Sequence, residues 1–311
     1  MGKYPVRNEI FAEVLGGLLQ GINSLHYDSP RVNVTFCLPE EIERHIESNS
    51  SNIMKDYNVA YRIRWKPIDL LRVVAHRYRL YAKIHEPSLF EETKVLDFDS
   101  RDQLHLFFAT IMPQDFANAL GEPEDPLAYV IRHTQLLPRH ALALFNGIIT
   151  RERQISNQTA RLSGDAIRLG TADAERILAQ QVLVPFMRIY PDLIASCEDI
   201  LPDLSPVCDL SALNKIQRRF ARRVEPDIAN IWKTLFDMVI LGRVVEGQDA
   251  GPVGQRYHLG QFHYNIDGAF GLSSSDRYCF HPIFTRHFGI NRRNGDRLSV
   301  YPANVDLVTL R

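Results

Sequence analysis

Strand-type alternation is confined to the two ends of this chain. Val32, Val34, Phe36 and Leu38 alternate with Asn33, Thr35 and Cys37, and Val59, Tyr61, Ile63 and Trp65 alternate with Ala60, Arg62 and Arg64. The next segments with strand character are 243–246 and 257–264. Between them the apolar residues recur at three- and four-residue spacing, the period of an amphipathic helix. Such a chain folds as a helical body with β structure at its flanks, mostly helical overall.

Taken in order, residues 8–26 carry Ile10, Phe11, Val14, Leu15, Leu18, Leu19, Ile22 and Leu25 on one helical face. The first alternating strand follows, then a short acidic-first helix from Pro39, the second strand, and a long helix from Pro67 to about Ile84. Helix, strand, helix, strand, helix is an α/β signature. Beyond it, Ser100 and Gln103 form a capping box for a helix over 104–111, and Asp125-Pro126 opens another through Ile131. Pro138 starts a new helix with Leu142, Phe145 and Ile149 on one face, so Arg139 is presented from its N-terminal end. The stretch from Arg153 to Gly170 has little apolar periodicity. After it come helices over 173–190, with a kink expected near Pro185, over 211–223 and over 226–241, then the hairpin 243–246/257–264. Three helices and a hairpin are the plan of a winged helix-turn-helix. The expected organisation is a partial α/β region at 1–85, a helical region at 86–152, a linker at 153–172 and a winged-helix-like domain at 173–311.

With 311 residues, 45% of them apolar, the chain is long enough for two folded domains, and a formal net charge of −1 makes any nucleic-acid site a local patch. The four cysteines include no C-x-x-C pair, which suits free thiols in a reducing compartment. No apolar run reaches the length of a membrane span and the N-terminus has no signal-peptide core, so the chain is read as cytoplasmic.

No phosphate-binding G-x-x-x-x-G-K-[ST] loop, G-x-G-x-x-G, G-x-S-x-G or H-E-x-x-H is present, so no catalytic residue is assigned. His258, His263, His281 and His287 lie near Cys279, but none has paired-ligand spacing, and no metal site is assigned. Asp97 and Asp99 flank Phe98 and read as a loop leading into a helix rather than an acid/base pair. A sharper feature is Lys215, Arg218, Arg219, Arg222 and Arg223. They occupy one face of a helix whose other face is Leu213, Ile216 and Phe220, and they are the nucleic-acid-binding candidates. The blander reading of the same face is a solvated or docking surface, because the next helix carries only Lys233 among its cations. The basic side of the Pro67 helix, with Arg72, His76, Arg77, Arg79 and Lys83, meets the same objection.

In this order of parts the chain resembles the C-terminal part of a P-loop ATPase of the AAA+/STAND type. Val32 to Leu38 looks like the strand carrying the first sensor. Ile63-Arg64-Trp65 followed by the Pro67 helix looks like the last core strand running into the lid. Leu137-Pro138-Arg139 looks like the Gly-x-Pro-Arg second-sensor motif, and the segment from Asp237 to Phe288, with Cys279-Phe280-His281-Pro282-Ile283-Phe284, like the winged-helix end. The resemblance implies an α/β remnant of an ATPase core, a helical lid and a C-terminal winged helix, with Arg139 reaching nucleotide phosphates. The Walker A and B motifs are missing and Leu136 stands where the motif has glycine. The implied function is therefore a non-catalytic module, truncated, split or degenerate, acting as a platform for a protein partner. It binds no cofactor on its own; ATP and magnesium enter only where a partner or upstream segment supplies the P-loop. The alternative is a winged-helix DNA-binding protein, and neither reading involves a membrane.

Overall fold

The computed structural model describes residues 63–156, 161–224, 230–245, 257–265, 271–290 and 299–302, with scattered positions between 14 and 37. The chain divides into two compact units, Met1–Ile63 and Arg64–Arg311. In the first, the described residues between Val14 and Leu25 are helical, in keeping with the amphipathic pattern there. The expected strand over 32–38 (Cys37 aside), the Pro39 helix and the expected strand over 59–62 lie outside the described residues. Ile63, Arg64 and Trp65 are in no regular element, and Ile63 is 80% exposed, so these three do not continue a strand into the next helix.

The second unit is mostly helical with a small mixed sheet. Helix α1, Pro67–His85, starts as expected, with Pro67 in its first turn and Leu70, Leu71, Val74, Tyr78 and Ala82 buried at helical spacing. A short α2, Pro87–Thr93, precedes α3, Arg101–Ile111. The capping box is not made. Ser100 accepts no cap bond, and Gln103 Oε1 instead takes Asp97 N at 2.7 Å, bracing the loop ahead of the helix. The two-residue strands β1, Phe116–Ala117, and β2, Pro123–Glu124, form a tight ladder that leads into α4, Pro126–Arg132, whose N-cap Asp125 accepts from Ala128 N at 2.8 Å.

Helices α5, Pro138–Ser156, and α6, Gly164–Ile189, form the centre. The break between units falls at 63/64, and the stretch expected as a linker is helical from Gly164 onward inside the second unit. Polar bonds join the end of α5 to the start of α6. Glu152 on α5 accepts from Ser156 Oγ, Ser163 Oγ and Ser163 N, each at 2.6 Å, and Ser163 in turn caps α6. Burial works against ionisation of Glu152, yet these bonds hold its carboxyl below its ordinary range. Gly147 and Gly170 let the two helices touch through backbone: a Cβ on Gly170 would sit 2.4 Å from Ile148 Cα.

Helix α6 belongs to two cores. Ala166, Ile167, Ala174 and Leu178 pack with α1, α3, α4, α5 and, from later in the chain, Tyr257, Leu259 and Tyr301, whereas Ala179, Val182 and Leu183 pack with the helices that follow and with Leu241, Tyr278 and Phe280. After α6 come α7, Pro191–Ile200, β3, Val207–Asp209, α8, Leu210–Phe220, and α9, Ile231–Asp237. The chain continues with β4, Leu241–Val245, β5, Tyr257–Gln261, β6, Arg277–Phe280, α10, Pro282–His287, and β7, Ser299–Pro302. The sheet order is β3-β6-β4-β5-β7. The expected hairpin pairs antiparallel, Arg243 opposite Gln261, and β7 adds parallel to β5. Helix α9 stops short of the expected Leu241 because Val239 turns left-handed at φ 62°, with Ile240 N bonded to Leu235 O at 2.9 Å.

Candidate functional site

The entrance to α5 is a tight turn held by side-chain bonds to its backbone. Thr134 Oγ1 donates to Ile131 O at 2.7 Å and accepts from Leu136 N at 3.2 Å. Leu136 then adopts φ 52°, a left-handed conformation that normally belongs to glycine. The side chain is nonetheless buried, which is what holds the conformation. Pro138 follows in the first helical turn and Arg139 stands exposed beside it, forming no ion pair among the described residues. His140, fully buried, accepts from Gln135 N through Nδ1 at 3.3 Å. Burial, and secondarily the charge of Arg139, lowers its pKa to about 4, so the ring is neutral and can accept.

Behind the entrance lies a polar network absent from the sequence-based expectations. Glu124, fully buried, accepts from Arg132 Nε at 2.8 Å, from Asn118 Nδ2 at 2.7 Å and from the Tyr301 hydroxyl. Burial would lower the pKa of Arg132, but the Glu124 carboxylate outweighs it and the guanidinium stays charged. Burial also raises the Tyr129 hydroxyl to about 12, although the Arg132 charge opposes the shift. Next to it both ring nitrogens of His133 face acceptors, Tyr129 O at 2.6 Å and Glu175 Oε1 at 3.0 Å. His281 reaches in from the far core. Its Nε2 lies 3.2 Å from Thr134 O and 3.1 Å from the Tyr264 hydroxyl, and its Nδ1 accepts from Ile283 N at 3.4 Å as the N-cap of α10. Burial, followed by the proximity of the His133 and His140 rings, holds His281 well below its ordinary pKa. No sequence signal marks this cluster: Glu124 lies in a two-residue strand and its partners Asn118, Arg132 and Tyr301 are spread along the chain.

The histidine group near Cys279 is not gathered into a site. Cys279 and His281 are both fully buried, and burial pushes the Cys279 thiol up. Among the described residues no three His, Cys, Asp or Glu side chains converge as metal ligands. Asp97 and Asp99 lie in the loop, Asp97 Oδ1 accepting from Asp99 N at 3.0 Å. That loop consumes much of the basic side of α1. Arg72 donates to Phe98 O and Asp99 O at 3.1 Å, and Arg79 donates to Leu96 O at 2.7 Å with its guanidinium 4.0 Å from the centre of the Phe98 ring.

The five cations of the second basic face are divided by the fold. Arg219 pairs with Asp203 and Arg223 with Asp199, the latter at 2.5 Å, fastening α8 to the end of α7. Lys215, Arg218 and Arg222 are exposed and form no ion pair among the described residues. Helix α8 ends at Phe220, so Arg222 and Arg223 stand on the turn after it. Lys215 and Arg218 line an open groove with Ser211, Asn214 and Ser274.

No family model, no curated protein and no solved structure matches this chain. Among the described residues no helix is long and apolar enough to cross a membrane.

Proposed function

We propose that the chain is the lid and winged-helix part of an AAA+/STAND-type ATPase, without catalytic activity alone, that serves as a platform for a protein partner. The observation that carries this reading is the α5 entrance. The second-sensor motif places a glycine two residues ahead of its proline, and here Leu136 takes the left-handed backbone which that glycine would supply. Arg139, exposed on the first turn of α5, is thereby free to meet an anion brought to it from outside. The order α7, β3, α8, α9, β4, β6, with β6 lying between β3 and β4, supports the winged-helix part of the reading, with β5 as an insertion. Leu80 and Ile84, 58% and 73% exposed one turn apart on α1, support a platform role.

Calorimetric titration of the chain with ATP and magnesium tests the proposal. Without a phosphate cradle it should bind no tighter than about millimolar; micromolar affinity overturns it. Adding a chain that bears a phosphate-binding loop should bring nucleotide binding into the micromolar range, and Arg139→Ala should then weaken that binding by about tenfold.

A further inference from the structure

The basic face of α8 plays no part in that proposal, and the fold has sorted its cations. Arg219 and Arg223 are paired with Asp203 and Asp199, which hold their guanidinium groups toward the end of α7. Lys215 and Arg218, one turn apart, instead face an open groove whose other polar lining is Ser211, Asn214, Ser274 and Asp209. These are two cations and one carboxylate with three neutral hydrogen-bonding side chains. The opposite wall is held in place, because the Tyr278 hydroxyl accepts from Ser273 N at 2.7 Å and donates to Ser273 O at 3.1 Å, fixing the turn that carries Ser274. The Asp209 carboxylate is turned to the helix as the cap of α8, its Oδ1 accepting from Ala212 N at 2.8 Å, and the two cations outnumber it.

We infer that this groove binds the phosphate backbone of a nucleic-acid duplex, without reading its sequence. Lys and Arg cations together with serine and asparagine donors are the set that contacts the phosphate oxygens of a nucleic-acid backbone. Base reading has no support here. The buried residues of α9 are Ile231, Trp232, Leu235 and Phe236, and its one cation is Lys233. The contact is therefore weak, salt-sensitive and indifferent to sequence.

The test is fluorescence anisotropy with a labelled duplex of about 20 base pairs and arbitrary sequence, titrated from about 20 to 200 mM salt. Engagement of Lys215 and Arg218, with Arg222 at the edge, gives a log–log salt slope of about −2 to −3; a face using all five cations would give about −4.5. The double change Lys215→Ala/Arg218→Ala should lower the slope by about 2, and Arg219→Ala/Arg223→Ala should leave it unchanged. Both variants alter exposed residues, and circular dichroism checks that each is folded. If the wild-type chain shows no binding at the lowest salt, the inference fails. It fails equally if the Arg219/Arg223 pair flattens the slope as much as the Lys215/Arg218 pair does. Displacement of the duplex by polyglutamate at equal charge would assign the groove to acidic proteins and overturn it as well.

Discussion

Leu136 spends conformational energy that a glycine would not. A left-handed L-residue costs about 1–2 kcal/mol, and here burial of the isobutyl group offsets that cost. The two effects separate on truncation. Leu136→Ala and Leu136→Gly both lose the side chain, but only the alanine keeps the strain, so the glycine variant should be the more stable of the two by about 1 kcal/mol in urea unfolding. At an ordinary position the order is reversed. The Glu124–Arg132 pair makes a second demand on single residues. Glu124→Ala leaves a buried guanidinium uncompensated and should cost about 3–5 kcal/mol, and Glu124→Leu/Arg132→Met should cost less than the sum of its two parts in the same measurement. Neither feature is visible at its own position in the sequence. A left-handed leucine resembles any other leucine, and Glu124 is paired only once β1–β2, α4 and the distant Tyr301 have come together.

At the scale of elements, the sequence declares its helix starts and hides its helix contacts. Pro67, Pro126 and Pro138 each open a helix as their restricted geometry requires. The hairpin of β4 and β5 likewise follows its alternation. The start of α6 was hidden because Gly164, Ala166, Gly170 and Ala174 offer no apolar periodicity; Gly170 and Ala174 are small where α5 lies against them, and Gly164 where Phe116 does. Gly170→Ala should therefore destabilise the fold by about 2–3 kcal/mol or more, the new methyl meeting Ile148 backbone that cannot yield. Gly271→Ala, with no atom within 4 Å of the added carbon, should change the thermal midpoint little and serves as the control.

For the molecule as a whole, the neutral buried histidines set an acid limit. His140 has a folded pKa of about 4 against an ordinary value near 6.5, so between those values the unfolded chain binds the extra proton. Stability should rise with pH across that window, by an amount on the order of 2–3 kcal/mol from His140, with His281 acting in the same direction. His140→Asn keeps an acceptor for Gln135 N and removes the titration, so urea midpoints measured from pH 4 to 7 should show a flatter slope. The helical character of the whole was legible from period alone. The joining of its two halves was not, because the residues that join them, Thr134 and His281 or Glu124 and Tyr301, are far apart in sequence and ordinary in type.

Helix α6 gives that joining a mechanical meaning. Its 26 residues make a rod of about 39 Å, with its first half clamped in one core and its second half in the other. A tilt of about 5° at Glu175, beside His133 and the α5 entrance, would move the far end, about 21 Å on, by about 2 Å. The rod is a support shared by both cores, so a shift in the packing of one is carried to the other.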